Sequence, residues 1–141
     1  MKQMDTPENS IVRSAKRLPE GARQHSTAGP YSPVLVVEAA RLVVISGQVA
    51  VDTEGTVVSK SFKEQARYTL ENCQRQLYTA DCSFADVFKV NVMLTDLNDW
   101  PQFNEVYAEL VPEPRPVRTA IGAHLLPGFL VEVEMWAAKS K

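Results

Sequence analysis

The chain is poor in the residues that build metal centres and disulfide frameworks. Its 141 residues hold two cysteines, Cys73 and Cys82, and two histidines, His25 and His124. Eight residues separate the cysteines, which is no zinc spacing, and neither histidine has a cysteine pair beside it. Two reduced thiols in a cytosolic protein are the expected reading, with no metal site. No run of 18 apolar residues is present, so no membrane span is expected. The first residues lack the apolar core of a secretory signal, and the cytoplasm is the expected compartment. There is no basic excess either. The net charge is -2 and the pI about 5.7, which argues against nucleic acid held by bulk electrostatics.

What is there suits one globular domain. The hydrophobic share of 45% is ordinary, and the length suffices for a proper core. Residues 1–22 are polar, with Pro7, Pro19 and Gly21 interrupting them, and are expected to form a flexible extension before a single domain over 23–141. Ile11 and Val12 carry no periodicity. The two prolines of Ala28-Gly29-Pro30-Tyr31-Ser32-Pro33 exclude helix and make a rigid loop that presents Tyr31. Val34 to Glu38 reads as a strand. Leu42 to Ile45 reads as a strand buried on both sides, ending in Ser46-Gly47-Gln48. Val49 to Val51 and Thr56 to Val58 are extended around a turn at Asp52-Thr53-Glu54-Gly55.

A helix is expected from Ser59 to about Ala80, with Ser61 and Glu64 as a capping box. Phe62, Ala66, Leu70, Cys73 and Leu77 share its inner face. Val87 to Leu94 alternates as a strand, with Phe88, Val90, Val92 and Leu94 on the buried side and Val87, Lys89, Asn91 and Met93 opposite. Trp100, Phe103, Val106, Tyr107 and Leu110 form the apolar face of a second helix, with Pro101 in its first turn. The order β-β-β-α-β-α-β-β implies an α+β fold, one mixed sheet with two helices on one face. The other face has enough apolar surface to need partner subunits, so a homo-oligomer is expected.

The remaining stretch, Pro114 to Trp136, reads as two strands joined by a turn at Pro127-Gly128. Arg118 opens the first, and Glu132 and Glu134 punctuate the second. A guanidinium and a carboxylate on successive strands can share one pocket, hold a small anion and steer a water. On these residues alone, the plainer reading is a surface arginine with two outward-facing glutamates.

An ordered set of segments now coincides: Gly29-Pro30-Tyr31, Ile45-Ser46-Gly47-Gln48, Gln65-Ala66-Arg67, Asp96-Leu97-Asn98-Asp99 with Asn104 and Tyr107, and Pro116-Val117-Arg118 leading to Val131-Glu132-Val133-Glu134. From about Gln24 to Ala138 the chain resembles the Rid (YjgF-like) family of reactive-intermediate imine deaminases. The resemblance implies a chorismate-mutase-like α+β fold, assembled as a homotrimer with pockets in the clefts between subunits. It implies hydrolysis of 2-enamine and 2-imine acids, such as 2-iminobutanoate and 2-iminopropanoate, to 2-keto acids and ammonia. No metal or organic cofactor is implied. Arg118 would bind the substrate carboxylate, Glu132 would position water, and Tyr31 would hydrogen-bond in the same pocket. Ser46, Gly47 and Asn104 would border the ligand. Ala120 stands where many members have cysteine, so a reactive thiol is not expected, although the backbone of Ala120 can still bond a ligand. The alternatives are a non-catalytic carboxylate-binding regulatory trimer and a pathway-specific deaminase of one catabolic intermediate. A ribonuclease, a label attached to some relatives, is disfavoured by the acidic balance.

Overall fold

Apolar residues recurring every three to four positions from residue 62 onward make a helix whose inner stripe must be covered. The computed structural model describes residues 14–140 and forms that helix, α1, over Phe62–Tyr78. Phe62, Ala66, Leu70, Cys73 and Leu77 are buried, as their spacing requires. Ser61 precedes the helix but makes no side-chain cap. The capping role falls to Ser59, whose hydroxyl accepts from Ser61 N at 2.9 Å and bonds the Glu64 carboxylate. The expected box is therefore displaced by two residues.

The strands are β1 (Lys16–Arg17), β2 (Val36–Val37), β3 (Arg41–Gln48), β4 (Val87–Leu94), β5 (Val117–Gly122) and β6 (Val131–Lys139), and the second helix, α2, spans Trp100–Leu110. Four strands make the main sheet in the order β3-β6-β4-β5. Both of β6's pairings are antiparallel, and β4 with β5 is parallel, so the sheet is mixed. Both helices cover one face. Val90, Val92, Leu94, Val131, Val133 and Met135 point into the core with Leu70, Leu77, Phe103 and Val106. A bulge between Val87 and Lys89 turns Val87 inward, against the strict alternation expected there.

Two expectations are corrected by the topology. β5 and β6 do not form a hairpin, because β4 lies between them and pairs with each. Nor is β3 buried on both sides within the chain. Ile45 is inward, whereas Leu42 is 61% and Val44 58% exposed on the face without helices. A continuous aliphatic run in an edge strand buries only the half that meets the helices. The expected third extended segment shrinks to one bridge, Val51 with Val57.

The boundary at residue 22 also shifts. Lys16–Arg17 pairs antiparallel with Val36–Val37, Ala15 is buried, and Lys16 is only 3% exposed. The Lys16 ammonium donates to Val87 O at 2.6 Å and Pro114 O at 2.7 Å. These residues of the supposed extension thus belong to the folded body. Ile11 and Val12 lie outside the described residues.

Candidate functional site

Pro116 ends the proline-rich connection, and the next residue enters β5 beside β4. Arg118 is paired with Val90, so its side chain lies on the helix-covered face. There it is 8% exposed. Its Nη2 donates to Asn104 Oδ1 at 2.8 Å. Four aromatic rings surround the guanidinium carbon, with centroids at 4.7 Å for Trp100 and Tyr107, 5.2 Å for Tyr31 and 5.7 Å for Phe103. Such contacts are worth about 0.5–2 kcal/mol each. Among the described residues no carboxylate pairs with Arg118. Its Nε and Nη1 are buried without hydrogen-bond partners. Burial lowers the arginine below its ordinary pKa, partly offset by Tyr107 and Tyr31.

A desolvated cation with unmet donors is costly unless something anionic completes it. The helix supplies most of the frame. From Trp100, steps of three, four and seven residues reach Phe103, Asn104 and Tyr107, all on one face of α2. The loop from Gly29 closes the frame. A Cβ at Gly29 would come within 3.3 Å of Arg118 Nη2, Asn104 Nδ2 and the Tyr31 ring, so any larger residue would crowd the guanidinium. Ser32 locks this loop to the strand entry: its N donates to Pro116 O at 3.1 Å and its hydroxyl to Arg115 O.

Glu132 lies elsewhere. It is paired with Met93, three positions along β4 from Val90, and this odd spacing makes it project from the opposite face of the sheet. Its neighbour there is Gly47, where a Cβ would sit 2.2 Å from Glu132 Oε2. Ser46 is exposed beside them. Glu134, the competing carboxylate, accepts from Asn91 Nδ2 at 2.9 Å. The residues expected to share one pocket thus fall into two groups. Arg118, Asn104 and Tyr31 are together, with Ala120 on the same face one pair further along β5. Ser46, Gly47 and Glu132 form the second group on the bare face. A single chain does not bring the guanidinium and the carboxylate together. Their expected sharing of a pocket on successive strands fails because β4 separates the strands and alternation points the side chains apart.

Trp100, Phe103 and Tyr107 read from the sequence as helix core only. The structure adds their role as the box around Arg118. Asn104 in the middle of that apolar stripe was the available signal. His124 is exposed in the connection after β5 and joins neither group.

Residues 22–139 match the family model described as Endoribonuclease L-PSP. The chain belongs to this family, the YjgF/Rid family. Human 2-iminobutanoate/2-iminopropanoate deaminase is 35% identical over 128 residues, covering 89% of this chain and 90% of that protein. Protein mmf2, mitochondrial, of Schizosaccharomyces pombe is 37% identical over 127 residues, covering 87% and 98%. Among solved structures, RidA from the Antarctic bacterium Psychrobacter superposes with a TM-score of 0.66 at 35% identity, covering 89% of this chain and 99% of that one. The two helices on a mixed sheet match the architecture of this Rid structure, and strands β5 and β6 point Arg118 and Glu132 to opposite faces. No helix among the described residues is long and apolar enough to cross a membrane.

Proposed function

We propose that the protein hydrolyses reactive 2-imino and 2-enamino acids, of the size of 2-iminobutanoate and 2-iminopropanoate, to 2-keto acids and ammonia. The observation that carries this reading is Arg118: a buried guanidinium with unmet Nε and Nη1 donors and no carboxylate partner among the described residues. A substrate carboxylate supplies the missing acceptor and charge. The imine carbon is then held next to the anchored carboxylate. Water's oxygen bonds to that carbon, the C=N pair moves to nitrogen, and a proton shift releases ammonia as the carbonyl forms. Glu132 serves to orient that water and relay its proton. Ser46, Gly47 and the backbone of Ala120 line the ligand, and Tyr31 closes it in.

Because Glu132 and Arg118 face opposite ways in one chain, this reading requires a second copy to bring its Glu132 group to the Arg118 pocket. A homotrimer with sites between subunits meets that requirement and covers Leu42 and Val44. The names of the human, mouse, bovine and goat relatives support the reaction class. The buried thiols Cys73 and Cys82 suit a cytoplasmic setting.

The test is imine hydrolysis. An amino-acid oxidase generates 2-iminobutanoate or 2-iminopropanoate, and semicarbazide traps what survives. The wild-type protein is expected to suppress the semicarbazone, and Arg118→Ala to lose at least a hundredfold in kcat/KM. The separation of Glu132 from Arg118 favours one second reading, a carboxylate-binding regulator without turnover. It predicts 2-keto acid binding with no ammonia release. Turnover confined to a single imine in a wider panel would indicate a pathway-specific deaminase.

A further inference from the structure

Arg118 is not the only polar group left unmet in this pocket. Tyr107 is fully buried, and its hydroxyl has no hydrogen-bond partner. Its ring packs on Phe103 with centroids 5.6 Å apart and lies 4.7 Å from the Arg118 guanidinium carbon. The Arg115 Nε, close enough to act on Tyr107 electrostatically, is also buried and unpartnered. Buried hydroxyls nearly always find a partner, because an unmet one costs free energy that a phenylalanine would not. A tyrosine here, where a phenylalanine would fill the same space, therefore calls for a hydrogen-bond partner. Every unmet group around Arg118 can donate: Arg118 Nε and Nη1, Arg115 Nε, and the Tyr107 O–H. Burial raises the phenol above its ordinary pKa, partly offset by Arg118 and Arg115, so it stays protonated and able to donate.

We propose that Tyr107 is a second anchor for the substrate carboxylate, its hydroxyl donating to the anion directly or through one trapped water while Arg118 supplies the charge. The inference rests on the reading of Arg118 as the anion site. It assigns Tyr107 a binding role besides its place in the core. The box then sorts its rings by task. Trp100 and Tyr31 are half-buried walls at the mouth, Phe103 is packing, and Tyr107 is the floor that carries a donor.

Tyr107→Phe tests this cleanly, because it removes one oxygen and keeps the ring. Two quantities are measured on wild type, Tyr107→Phe and Arg118→Ala: calorimetric affinity for 2-oxobutanoate, and thermal stability without ligand. The expected result for Tyr107→Phe is roughly tenfold weaker binding, the loss of one hydrogen bond to a charged group. Its unliganded melting temperature should be unchanged or higher, since an unmet buried hydroxyl has gone. In turnover the same variant should raise KM more than it lowers kcat. A purely structural tyrosine gives the opposite pattern, lower stability with unchanged affinity, and that outcome overturns the proposal. If wild type binds 2-oxobutanoate, Arg118→Ala does not, and Tyr107→Phe binds as wild type, the anion site stands and the role of Tyr107 falls. If wild type does not bind, the reading of Arg118 falls, and this inference with it.

Discussion

At the residue scale, the most informative position is one without a side chain. Gly47 leaves room for the Glu132 carboxyl, and a methyl group there would meet Oε2 at 2.2 Å and Cδ at 3.0 Å. The atoms it meets are the free end of a flexible side chain, so the fold can accommodate alanine by swinging Glu132 aside. Gly47→Ala is therefore expected to melt within a few degrees of wild type while losing about tenfold or more in kcat, read in the same imine assay. A large fall in stability with intact turnover would mean that the close approach serves packing. Lys16 offers a second case. Burial lowers its pKa to about 8, against the opposing pull of Asp86. Between pH 8 and the ordinary lysine range, the unfolded chain binds a proton that the folded chain does not. Stability should thus rise with pH across that window. Lys16→Met should flatten the rise, as measured by denaturant unfolding at pH 7 to 10.

At the level of elements, α1 ties the sheet to the loop that precedes β6. Gln65 is fully buried and donates to Ser59 O at 2.7 Å and Gly128 O at 2.8 Å, while its Oε1 accepts from Leu130 N at 2.9 Å. One side chain thereby satisfies three backbone groups, and it does so two residues before Glu132. Gln65→Leu should cost about 3 kcal/mol or more in urea unfolding, since each of the three orphaned backbone groups is penalised at about 1–3 kcal/mol. A loss below about 1 kcal/mol would mean water replaces the amide. The inward stripe of α1 was legible in the sequence because its period of three to four is unbroken from Phe62 to Leu77. The cap was not, since Ser59 and Ser61 are equally good residues and only the chain's path selects between them.

For the whole molecule, the feature to test is the uncovered face of the sheet. Leu42, Val44 and, at 52% exposure, Ile121 present apolar surface that a lone chain leaves in water. Light scattering is expected to give the mass of three chains. Val44→Asp should shift it toward one chain and abolish turnover, although Arg118 and its aromatic box lie on the other face. A monomeric Val44→Asp protein with full activity would sink the intersubunit site.

The sequence by itself determined most of the elements, because burial imposes a period that the residues must carry: two helices with their inner stripes, the strand Val87–Leu94 from Val90 onward, and the α+β order. It also singled out an arginine, an asparagine, a loop tyrosine and a strand glutamate as candidates, and three of them, Arg118, Asn104 and Tyr31, lie together in the folded chain. What only the tertiary structure decided was which of them meet. Pairing is a long-range choice, and nothing local says that β4 inserts between β5 and β6. That insertion, with the two-residue period of a strand, sends Arg118 into a buried aromatic box and Glu132 to the bare face. The anchoring of Lys16 was hidden for the same reason. Its partners, Val87 O and Pro114 O, are backbone groups distant in sequence, brought beside it only when the sheet and the proline-rich connection close.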